Sequence, residues 1–219
     1  MTSIKDITRL FGADIILLWT ALILKKRVAV YSEKLGILLK LIRGFPVFVW
    51  HRQNWNILRP HVDLNSEREI SELKAAGVYC AGFTNPALKA NSNLWDILVD
   101  INAREIRVAD HAQSDFQLCA FQKNLCNFLV SSSEDPAITS QQFIKGLVDK
   151  TKELLQKLSS LVVQENEDSP PTITLAGLQA VSLPPGMDLF LFRVAAAEGM
   201  TSSSSSSSLK PQSSDTSNE

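Results

Sequence analysis

The sequence predicts an α/β fold, a layered central module followed by an α-helical C-terminal module, and three observations carry this. Short apolar runs without polar alternation, Val28 to Tyr31 and Val78 to Phe83, have the pattern of strands covered on both faces. Segments with helical spacing precede and separate those runs, and such alternation is the mark of a sheet flanked by helices. After Asp110 the strand-like runs stop and helical spacing continues alone to about residue 200. The expected organisation is an α/β unit over 1–110, a helical unit over 111–200 and a disordered tail over 201–219.

Taken in order, residues 3–24 place Ile4, Ile7, Leu10, Phe11, Ile15, Leu18 and Leu22 at helical intervals behind Ser3, a side chain suited to an N-cap. One long helix is expected there, feeding the strand at Val28. A helix over about 33–43 ends at Gly44 and Pro46. Residues 45–64 are rich in large side chains and read as a loop or short helical turn leading into an extended piece. Ser66 with Glu69 three residues later forms a capping box for the next helix, and Gly77 stops it. Trp95 to Ile101 and Glu105 to Val108 are strand candidates joined around Asn102 and Ala103. Helices then span about 116–130 and 140–161, and a shorter apolar piece, Leu183 to Ala197, closes the ordered part. The serine run that follows holds too little apolar surface to offset its ordering entropy.

The 219 residues are 45% hydrophobic and 21% charged, enough for a real core, with a formal net charge of −1. Such a balance provides no field to gather nucleic acid or an anionic membrane, so any partner is recognised locally. Cys80, Cys119 and Cys126 form no disulfide framework and read as packed thiols in a reducing compartment. No signal peptide is read at the N-terminus. The apolar run from Ile15 to Leu24 is bounded by Asp14 and by Lys25, Lys26 and Arg27, well short of the ~20 residues a bilayer needs. The basic triplet itself reads as a favourable cluster at a helix C-terminus in preference to a phosphate-binding patch.

Motifs of covalent chemistry are missing from these rows. There is no G-x-G-x-x-G, G-x-x-x-x-G-K-S/T, G-x-S-x-G or H-E-x-x-H. The turns after the first strands lack the glycines that let a backbone approach a pyrophosphate. His51, His61 and His111 are scattered without a metal-ligand spacing. No catalytic residue, metal or cofactor is assigned.

Several segments, in order, resemble the DENN-domain family. The passage Ala21 to Ser32 is similar to the family's leucine-rich helix that ends in basic residues and feeds a core strand. Phe45 to Trp55, with Trp50-His51-Arg52-Gln53, and Leu58-Arg59-Pro60 resemble its aromatic-rich loop and extended piece. Val78 to Phe83 is similar to its small-residue strand, and Phe192 to Glu198 to its end. The resemblance covers about residues 3–200. In the family a longin-like module precedes the part matched from Ser3, so the sequence reads as a fragment, a truncated isoform or an incomplete gene model.

The resemblance implies a cytoplasmic regulator of Rab GTPases, recruited to late endosomes and touching membrane only through the Rab. It implies guanine nucleotide exchange, which needs no acid, base or metal: a factor that binds nucleotide-free Rab more tightly weakens nucleotide binding by the same ratio. Trp50, His51, Arg52 and Trp55 are the candidate Rab-binding residues, since Trp and Arg dominate binding hot spots. Core packing is the competing expectation for both tryptophans, and solvation for Arg52. Two other classes stay open. One is a non-catalytic scaffold that binds endosomal sorting complex subunits; the other is a nucleotide-using α/β enzyme, which would need a pocket of converging polar groups.

Overall fold

A computed structural model describes residues 3–52, 54–162 and 172–201. The expected serine-rich tail from 202 lies outside the described residues.

The first helical stretch is two helices, not one. Helix α1 (Ile4–Phe11) starts at Ser3, whose hydroxyl accepts from the Asp6 amide while Asp6 returns a bond to the Ser3 amide. It stops at Gly12, which adopts φ 54°, a conformation open to glycine and strained for other residues. A 3-10 turn, Gly12–Asp14, then leads into α2 (Ile15–Ile23). Apolar spacing runs unbroken through the corner, so periodicity alone hid it.

Strand β1 (Val28–Tyr31) follows as expected, then α3 (Leu35–Ile42), a 3-10 turn over Phe45–Val49 and the two-residue β2 (Leu58–Arg59). Helix α4 (Glu67–Ala76) begins at Ser66 and ends at Gly77. Strand β3 (Cys80–Phe83) starts two residues later than expected, and β4 (Ile97–Asp100) is shorter at its start, where the Trp95 amide bonds to the Ser92 carbonyl of the preceding 3-10 turn. Asp100 accepts from the amides of Asn102 and Ala103, closing the turn into β5 (Glu105–Val108).

The sheet runs β2-β3-β1-β4-β5, parallel except for β5, which is antiparallel to β4. Side chains alternate across it. Val28, Val30, Cys80, Ile97 and Val99 face one apolar cluster, whereas Ala29, Tyr31, Ala81, Phe83 and Leu98 face another with Leu73 of α4. The strands are therefore covered on both faces. Within β3, Gly82 is required by close approach, because a Cβ there would collide with the Pro60 carbonyl oxygen.

Helices α5 (Ala120–Glu134), α6 (Ser140–Ser160), α7 (Leu175–Ala180) and α8 (Met187–Ala197) complete the chain. Helix α5 starts four residues later than the expected 116, since Gln122 caps the Cys119 amide. That glutamine is wholly buried and also donates to the Thr20 hydroxyl at 2.8 Å, tying α5 to α2. One apolar cluster runs from Ile4 to Ala195 and contains Trp19, Leu125, Phe143 and Leu191. Each such side chain, fully removed from water, contributes about 1.5–3 kcal/mol. Helix α1 packs on α5 and α6, and its Lys5, buried despite its charge, donates to the carbonyls of Asp135 and Ile138 at the end of α5.

Candidate interaction site

The segment after α3 is pinned before it is presented. Gly44 and Pro46 open the 3-10 turn, and Phe45 and Phe48 are fully buried against α2 and α6. The chain then rises to the surface at Trp50.

Arg52 does not project to solvent, which corrects the expectation of an exposed guanidinium. Only 12% of its side chain is accessible. It donates to the Leu22 and Ile23 carbonyls at 2.7 and 2.6 Å, capping the C-terminal end of α2, and to Glu198 Oε1 at 2.5 Å. A cation at a helix C-terminus completes orphan carbonyls and opposes the helix dipole. His51 joins the same centre, with Nε2 3.1 Å from Glu198 Oε1. Glu198 sits at the C-terminal end of α8, where a carboxylate is unfavourable unless neutralised. Burial raises its pKa, but hydrogen bonds from His51 and Arg52 and the guanidinium charge outweigh this and hold it at about 2.

The two flanking tryptophans face outward: Trp50 is 42% and Trp55 45% exposed. The expectation that both are core is thus corrected. Leu35 and Ile37 on α3 are also exposed, so four of the six exposed large hydrophobic residues among those described fall between 35 and 55. Single exposed apolar residues mean little, and of these four only Trp55 is placed at a groove. Trp55 also lines a groove of 680 Å³ with Ile4, Val47 and Ile144 as apolar walls and Lys40 and Arg43 beside them.

Of the four candidate residues, the structure brings His51 and Arg52 into one half-buried ion cluster with Glu198 and leaves Trp50 and Trp55 on the surface. Glu198 had no signal in the sequence beyond its place in the matching end segment. The groove residues other than Trp55 had none, because α1, α3 and α6 meet only in three dimensions.

The other histidines are engaged elsewhere. His111 lies 3.0 Å from both Asp96 and Arg27, and His61 contacts the Thr84 hydroxyl. Burial raises the Asp96 pKa, but Arg27 and His111 outweigh it and hold the carboxyl below its ordinary value. At the carboxyl ends of β1 and β4, where open parallel sheets bind ligands, Lys89 is ion-paired with Asp100 at 2.6 Å and lies 4.5 Å from the Tyr31 ring. That end of the sheet is bridged by side chains. The buried Cys80 thiol is pushed up to about 12 by burial, which makes it inert. Among the described residues no helix is long and apolar enough to cross a membrane.

The fold is an α/β sheet flanked by helices, and the chain belongs to the family described as Stabilization of polarity axis, whose model matches residues 1–110. It is 51% identical over 199 residues to a Dictyostelium discoideum protein named DENN domain-containing protein 10, covering 91% of this chain and 54% of that protein. Proteins of the same name from Danio rerio and Homo sapiens are 39% and 33% identical over 196 and 198 residues, each match covering 90% of this chain and 55% of the relative. The chain spans about half the length of the curated relatives it matches.

Proposed function

We propose that this chain is part of a DENN-type regulator of Rab GTPases in late endosomal traffic, acting as a guanine nucleotide exchange factor. In this reading residues 1–110 form the central module and 111–200 the helical one. The observation that carries the interface is the pairing of two exposed tryptophans with a half-buried ionic anchor. The His51–Arg52–Glu198 cluster fixes the backbone next to Trp50, which lowers the ordering cost of that ring on binding. The groove beside Trp55, apolar with Lys40 and Arg43, suits a partner surface of apolar side chains next to carboxylates.

Exchange then follows from linkage alone. A surface that holds nucleotide-free Rab more tightly than the loaded form loosens the nucleotide by the same factor, with no covalent step in the protein.

The test is a panel of Rabs presented nucleotide-free, GDP-bound and GTP-bound to the wild-type chain and to Trp50→Ala and Trp55→Ala, with nucleotide release followed in parallel. Preference for the nucleotide-free form and a tenfold or greater loss in each variant are expected for hot-spot residues. Binding without accelerated release favours a scaffold. Equal affinity in both variants removes the tryptophans from the interface.

A further inference from the structure

A second pocket, of 380 Å³, opens at the end of the sheet where β1 and β3 begin, and shares no lining residue with the groove beside Trp55. Lys25, Lys26, Arg52 and Arg59 line it together with Asn54 and Asn56, and no carboxylate is among its lining residues. Four cations around one concavity are unexpected in a chain of net charge −1.

The charge is only partly neutralised from behind. Lys26 is paired with Asp115, but Asp115 also takes Arg193 at 3.0 Å. Arg52 is paired with Glu198. Arg59 donates only to the backbone carbonyls of Asn56 and Leu58, and neither it nor Lys25 has a carboxylate partner among the described residues. Five cations therefore meet two carboxylates. The dipole of α2 accounts for basic residues directly after that helix, but it does not account for Arg59, which arrives from β2.

Lys25 is also held in an unusual backbone state. It closes α2 with φ 53°, its amide donating to the Leu22 carbonyl while the Lys26 amide donates to that of Ala21. This is the position at which helices end in glycine. A glycine would close the helix without strain, yet a lysine stands there and lines the pocket.

We propose that this pocket binds a small phosphate-bearing anion, with Lys25 and Arg59 as its principal ligands and Lys26 and the two asparagines supporting them. The volume is at the small end of ligand pockets, which suits a phosphomonoester on a sugar- or inositol-sized group. Charge-assisted bonds from Lys and Arg to phosphate are the strong class. The inference is independent of the Rab reading.

The test titrates the full 219-residue chain, by calorimetry, with inorganic phosphate and with a soluble inositol phosphate. Sedimentation with phosphatidylcholine vesicles, with and without a phosphoinositide, runs alongside. Saturable binding is expected, weakened about tenfold by Lys25→Gly and by Arg59→Gln. Lys25→Gly relieves the backbone and so preserves the fold. Binding to soluble probes alone assigns a free phosphate compound, and sensitivity of vesicle binding to Lys25→Gly assigns a lipid headgroup. No saturable binding of any probe, or binding unchanged in both variants, overturns the site.

Discussion

Arg52 and Glu198 meet at 2.5 Å across 146 residues of sequence and join the ends of α2 and α8 through one carboxylate oxygen. Three cap or charge requirements are satisfied together: the terminal carbonyls of α2, the carboxylate at the end of α8 and the orientation of the Trp50 loop.

Removing Arg52 therefore destabilises the protein instead of merely weakening a contact. Arg52→Ala leaves Glu198 with only His51, and breaking such a partly buried pair costs about 3 kcal/mol. The thermal midpoint should fall by roughly 6–12 °C. Arg52→Lys cannot restore it, since an ammonium does not reach two carbonyls and a carboxylate with the same fork. A normal midpoint in Arg52→Ala would show that the ion cluster is dispensable.

Acid should dissolve the same cluster. Glu198 is held at about 2 against an ordinary 4.5, so its folded pKa is depressed. Its contribution is complete above about pH 5 and is lost as pH falls toward 2. The amount is about 2 kcal/mol after allowance for solvent screening. Denaturant midpoints measured between pH 7 and 3 should decline in the wild type, and Glu198→Gln should show a lower starting value with a shallower decline.

Lys25→Gly should stabilise. The left-handed conformation at Lys25 costs a side chain that glycine does not carry, and the gain is about 0.5–1 kcal/mol after the entropy of a more flexible unfolded chain. A thermal midpoint raised by roughly 2 °C is expected. A decrease would mean that the lysine side chain holds the helix end.

Gly82→Ala should do the opposite. Its new methyl would meet the Pro60 carbonyl oxygen and the Leu38 side chain, and backbone cannot yield as a rotamer can. The expected cost is about 2 kcal/mol or more, read as a lowered denaturant midpoint with unchanged slope.

What sequence made legible was local. The strand at Val28, the helix from Ser66 to Gly77 and the turn at Asn102 are each encoded within a few neighbouring residues. Boundaries slipped by a few residues at element ends, as at Trp95, whose amide bonds back to Ser92, and at Cys119, where Gln122 accepts the amide and sets the start of α5. The candidate loop was found through its composition and its resemblance, but the roles within it were inverted. Arg52 looked solvated because its acceptors lie on α2 and beyond α8, and the tryptophans looked buried because tryptophan usually is.

The seating of α1 has a consequence for the order of folding. Its Lys5 ammonium and its apolar face are satisfied by α5 and α6, more than a hundred residues downstream. On a ribosome this helix emerges well before the partners that cover it, so its greasy stripe stays unmatched while the sheet is being made. Long loops must close before these contacts return anything, which slows the final step. A nascent chain stalled near residue 110 should then hold a formed sheet beside an exposed amphipathic helix, a species that calls for chaperone cover until the last helices arrive.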